Sequence, residues 1–196
     1  MANYKDVAMD CLRIIEGGQV SGDSNFEMLD LEDAIRQAAA FIVKRDFWKD
    51  TNATGETEIN YSYLEIFEDE PVLYNEKRDC YYVELPVDVI NLPQDYGVQY
   101  VSERQNLTDP YTRTQIGTIG FYTNLPDDIS SWFMSSKTIQ LVNFDSTIKT
   151  LTLGLIPALP TTIGDDDVVE IKEIVCKKYM QVPQEDKISD QNPNNR

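Results

Sequence analysis

The sequence predicts an α+β chain: a small helical bundle (two N-terminal helices plus a C-terminal helix) with an inserted antiparallel β lobe and a flexible C-terminal tail. Three observations predict it. Apolar residues recur at helical spacing over the first fifty residues and again after residue 163. Between these stretches the period becomes two. The second helix carries more apolar surface than one neighbouring helix covers, so a third has to return to it. The chain accordingly divides into N-terminal helices (1–50), a β lobe (51–162), a C-terminal helix that completes the bundle (163–182) and a tail that orders on a partner (183–196).

Residues 3–16 read as the first helix. Tyr4, Val7, Ala8, Cys11, Ile14 and Ile15 form one stripe, and Gly17-Gly18 stops it. Ser24-Asn25-Phe26-Glu27 is a capping box, in which hydroxyl and carboxylate each satisfy a free amide. The helix it opens is expected to run to about Lys49. Met28, Leu31, Ile35, Ala38, Ala39 and Ile42 make its main stripe, while Ala34, Phe41, Phe47 and Trp48 widen it. The small side chains of Ala38, Ala39 and Ala40 allow close approach of another helix.

Ile59, Tyr61 and Tyr63 then alternate with polar residues, which predicts a strand. Tyr81, Val83 and Leu85 alternate again until Pro86. Shorter candidates are Val98 to Ser102, Ile116 to Tyr122, and the run around Ile139, Leu141 and Val142. Ile148 to Ile156 is the clearest strand, with Leu151, Leu153 and Leu155 on one side and Thr150 and Thr152 on the other. Pro157 and Pro160 lead out of the sheet. Asp165-Asp166-Asp167 opens the third helix and Lys177-Lys178 lies near its end, both favourable to the helix dipole. Val168, Ile171, Ile174, Val175, Cys176 and Tyr179 give that helix its apolar face, and Pro183 ends it. Residues 183–196 contain one large apolar residue, Ile188, too few to order alone.

Composition excludes more than it assigns. Leu, Ile, Val and Phe supply 52 of 196 residues, enough for a core. Against 34 acids stand 17 Lys and Arg, a net charge of −17 that disfavours sequence-specific nucleic-acid binding. The absence of His removes the commonest general base and most zinc sites. Cys11, Cys80 and Cys176 are odd in number and widely spaced, which suits buried thiols better than disulfides or zinc. No secretory leader or membrane span is evident, so the expectation is a soluble protein made in a reducing cytoplasm. The triplets at Asn52, Asn60 and Asn106 then carry no glycan.

Candidate chemistry is sparse. Glu68-Asp69-Glu70 suggests a cation site or half of a glycosidase carboxylate pair, but a solvated loop before Pro71 is the simpler reading. Asp127-Asp128 is turn chemistry, and Gly117 and Gly120 have no following helix to hold phosphate. Tyr61, Tyr63, Tyr81, Tyr82, Tyr100 and Tyr122 suit either a sugar-stacking platform or a sheet face at a protein interface. The expectation is an interaction protein without catalytic, metal or cofactor-binding residues. A carbohydrate- or receptor-binding β module is the alternative.

The run Tyr82-Val83-Glu84-Leu85-Pro86-Val87-Asp88-Val89-Ile90-Asn91-Leu92-Pro93-Gln94-Asp95-Tyr96-Gly97-Val98 resembles a segment of tailed-phage virion proteins: a strand ending in Leu-Pro-x-Asp, then an apolar stretch into the next strand. The inferred order of helices, β insertion and helix is similar to that of head-to-tail adaptor (connector ring) proteins of short-tailed phages. The Tyr- and Asn-rich, His-free composition is similar to that of crAss-like phages of Bacteroidales. This resemblance implies a virion protein at the head–tail junction, assembled in the host cytoplasm as a homo-oligomeric ring, usually a dodecamer. It also implies as partners the portal protein, a further tail or ring protein, and DNA passing without sequence-specific contacts. The family grips the portal with its C-terminal helix and tail, so Tyr179, Pro183, Ile188, Pro193 and Arg196 are the implied docking residues.

Overall fold

The computed structural model describes residues 3–18, 27–54, 61–103, 110–114 and 130–180. Among them are three α-helices and a seven-stranded curled sheet, a mixed α+β architecture. Two compact units result. One takes the residues up to Ala39 and those from Ile163 onward, and the other takes Ala40–Thr162.

The first unit contains α1 (Tyr4–Ile15), the first turns of α2 (Met28–Thr54) and α3 (Val168–Met180). Asn3 caps α1 by accepting from the Lys5 amide at 3.1 Å. Gly17 and Gly18 end it with φ of 73° and 105°, and the Gly18 amide closes on the Arg13 carbonyl at 2.7 Å. Tyr4, Val7, Ala8, Cys11 and Leu12 are buried, whereas Ile14, expected in the stripe, is 47 % exposed. The aspartates at 165–167 form a short 3-10 turn ahead of α3.

Polar contacts tie the three helices together. Lys172 Nζ meets Asp10 Oδ2 at 2.6 Å, and this hydrogen bond holds the Asp10 carboxyl below its usual range. The Arg36 guanidinium lies 5.4 Å from the Tyr4 ring centre, joining α2 to α1. Tyr179 donates its hydroxyl to the Asp30 carbonyl at 3.3 Å, joining α3 to α2.

Cys176 Sγ lies 4.0 Å from the Cys11 carbonyl oxygen, and both residues are buried free thiols, as the spacing suggested. Burial and the neighbouring Cys176 push the Cys11 thiol up to about 12. In native protein at pH 8, iodoacetamide is therefore expected to spare Cys11 and to reach half-buried Cys80 first, because the thiolate is the nucleophile. Mass spectrometry after native and denatured labelling checks this.

The second unit is built on β1 (Glu65–Asn75), β2 (Cys80–Glu84), β3 (Val98–Ser102), β4 (Thr112–Arg113), β5 (Ser131–Ser135), β6 (Thr138–Val142) and β7 (Thr150–Leu155). The strand order is β3-β7-β1-β2-β6-β5-β4. Every pairing is antiparallel except the two-residue β4–β5 pair, which is parallel. The sheet curls until its end strands approach: the Tyr111 amide donates to the Val101 carbonyl at 2.7 Å. Curling buries one face and removes much of the exposed edge. Val83, Val101, Trp132, Ile139 and Leu153 fill the interior, each from a different strand.

Several expectations need correction. Tyr61–Tyr63 is a 3-10 turn, and the strand begins at Glu65. The acidic run read as a solvated loop is the strand β1, paired on both sides with β2 and β7. Its alternation was hidden by an extra residue. Phe67 pairs with Leu153 and Glu70 with Leu151, so a bulge lies between them, with Asp69 at a φ of 58°. Strand β5 was missed because Ser-Trp-Phe-Met-Ser lacks alternation. Helix α2 runs to Thr54, past the expected end near Lys49, and the second unit begins inside it, at Ala40. Ser24 of the capping box, Ile59 and the run Ile116 to Tyr122 lie outside the described residues.

Candidate functional site

A ladder of rings and one guanidinium joins α2 to the sheet interior within the second unit. The Phe47 ring packs on Tyr96 with centroids 5.5 Å apart. The Arg113 guanidinium lies 4.5 Å from the Tyr96 centroid and 5.3 Å from that of Trp132. Helical spacing turns Phe47 inward, strand β4 carries Arg113, and its register partner on β5 is Trp132, so the two share a face. Trp132 is 1 % exposed, and its indole N–H donates to the Tyr111 carbonyl at 3.2 Å.

Arg113 works as a clasp between the sheet ends. Its guanidinium donates to the Val98 carbonyl on β3 and, at 3.5 Å, to the Gln94 carbonyl. Burial lowers its pKa, while Tyr96 and Asp95 oppose that shift. No carboxylate forms an ion pair with it among the described residues. Gln94 and Asp95 are consecutive non-glycine residues at positive φ, 53° and 58°, a costly backbone that the clasp and the stacked Tyr96 help to hold. Replacing Arg113 with Leu is expected to cost about 2 kcal/mol, because it removes a charged donor from the carbonyl of buried Val98 and takes away the stacking cation. Replacement with Lys should recover only part of that loss in urea denaturation, since an ammonium lacks the planar fork.

The ladder consists of three rings and one guanidinium, with the Asp95 carboxylate close enough to favour the charged form of Arg113. Sequence reading missed it because its members lie at positions 47, 96, 113 and 132, with no local pattern linking them.

The residues singled out from the sequence are scattered. Glu68 and Asp69 are exposed and Glu70 is half-buried, its carboxyl pushed up by burial. Among the described residues no group of three or more Cys, Asp or Glu is gathered as a metal site. Nor is any helix there long and apolar enough to cross a membrane. Among the described residues the tyrosines singled out form no common platform. Tyr63 and Tyr100 are buried and Tyr61 is 70 % exposed. Tyr81 packs between Tyr74 and Phe144, with centroids 5.0 and 5.2 Å away. Tyr122 lies outside the described residues. Of the docking residues, Tyr179 is half-buried on α3, while Pro183, Ile188, Pro193 and Arg196 lie outside them.

No protein-family model matches this chain, and no curated protein is significantly similar to it.

Proposed function

We propose that this chain is a structural virion protein, a head-to-tail adaptor subunit that forms a ring with identical copies beneath the portal, around the DNA channel. The observation that supports this reading is the number of elements that leave apolar side chains in water. Leu29, Phe41 and Trp48 on α2, Ile66 and Tyr74 on β1, and Val169 and Met180 on α3 are each 48–69 % exposed. A subunit held by two neighbours and a portal needs such surface on several sides. In this reading the helices form a small bundle interrupted by the β lobe, and residues 179–196 grip the portal. The net charge of −17 suits a channel wall along which DNA slides without sticking.

Negative-stain imaging and sedimentation test the proposal. Rings are expected for the protein alone or once its portal is added. A chain that remains monomeric with the portal, or binds glycans instead, refutes it. Deleting residues 183–196 is expected to abolish portal docking while leaving the thermal transition in place. Docking that survives the deletion removes the tail from the interface.

A further inference from the structure

We infer that the outer face of α2 is a subunit–subunit contact that receives the bulged strand β1 of a second copy of this chain. This deepens the adaptor reading and rests on it for its biological setting. Phe41, Lys44, Arg45 and Trp48 stand at i, i+3, i+4 and i+7, one face of the helix. Phe41 is 57 % exposed and Trp48 51 %, although Phe47 between them is buried. Arg45 is neutralised by Asp46 at 2.7 Å, so the positive charge this face offers comes from Lys44, on a chain whose acids outnumber its bases two to one. Lys44 makes no ion pair among the described residues. Trp48 is held edge-on against Phe47, centroids 5.8 Å apart, and Phe47 belongs to the ladder that ends at Trp132. An exposed tryptophan anchored in this way has little freedom to lose on binding.

The complementary surface is the β1 bulge. Ile66 is 54 % exposed, Glu68 and Asp69 are exposed beside it, and neither acid forms an ion pair among the described residues. The extra residue and the positive φ of Asp69 break the strand's regular course at the acidic pair. An apolar residue flanked by carboxylates matches aromatic rings flanked by a lysine. Because the two patches differ, the contact is heterologous, and repeated from copy to copy it generates a ring or a filament.

Sedimentation velocity across a concentration series tests this on the full chain. Phe41→Ser/Trp48→Ser is expected to weaken self-association about thirtyfold or more, as for truncated aromatic anchors. Lys44→Glu and Glu68→Lys should each weaken it about tenfold, and the double reversal Lys44→Glu/Glu68→Lys should restore much of the loss. All four positions are exposed, and circular dichroism shows whether each variant is folded. The inference fails if the aromatic variant associates like wild type, if the double reversal is no better than either single one, or if wild type stays monomeric throughout. Portal-bound rings that survive Phe41→Ser/Trp48→Ser overturn this contact and leave the adaptor reading standing. Self-association through this face without portal docking has the opposite meaning.

Discussion

Trp132→Ala is expected to lower the stability of the sheet unit by about 3–5 kcal/mol, the cost of emptying a buried aromatic site. Three losses coincide. The side chain is 1 % exposed and packs in the sheet interior, so its removal leaves a cavity. The Tyr111 carbonyl loses the indole N–H at 3.2 Å. Arg113 loses one of the two rings that flank it, which leaves a half-buried guanidinium with less compensation for its lost hydration. Urea denaturation followed by tyrosine fluorescence measures the result. A shift under about 1 kcal/mol would show that Trp132 sits in a site able to collapse, contrary to close packing around it. Trp132→Phe should recover part of the loss, because it refills most of the volume without restoring the N–H.

Gly97→Ala ranks second, at about 2–4 kcal/mol of destabilisation. A Cβ there would lie 2.3 Å from the Ile90 carbonyl oxygen and 2.5 Å from Val89 Cγ1. Neither atom can easily retreat. The Ile90 amide donates to the Ile156 carbonyl at 2.9 Å, and the Ile156 amide donates to the Gly97 carbonyl at 2.8 Å, so the segment is bonded to the continuation of β7. Gly154 is tight for a different reason, since a Cβ there would lie 2.2 Å from the Tyr100 ring. Gly97→Ala should therefore resist rescue by trimming Val89 to Ala, because the backbone oxygen remains. Thermal denaturation of the single and double variants decides this. Full recovery on trimming Val89 would place the conflict in the side chain alone.

The stretch from Tyr82 to Val98 illustrates how far local reading reached. It shows a strand ending at Glu84, one residue short of the expected Leu85, then an irregular segment and a new strand opening at Val98 as expected. Yet the reason for a glycine at position 97 is visible only once Ile90 is placed beside it. Helix α2 makes the same point. Leu31, Ile35, Ala38, Ala39 and Ile42 are all buried, as their spacing indicated. The surplus apolar residues divide instead: Phe47 turns inward, while Phe41 and Trp48 stay in water. Spacing shows which residues share a helix face, and has no information on which faces find a cover.

By itself the sequence determined the α+β class, the three helices and four of the strands, because period and caps act over a few residues. Tertiary structure alone decided that the acidic run at 65–75 is a paired strand, that β4 joins β5 in parallel, and that Arg113 bridges Tyr96 and Trp132. Those features arise from the curling of the sheet, which brings together residues far apart along the chain. Such partners leave no periodic mark on one another, since the contact is formed only when the strands between them have paired.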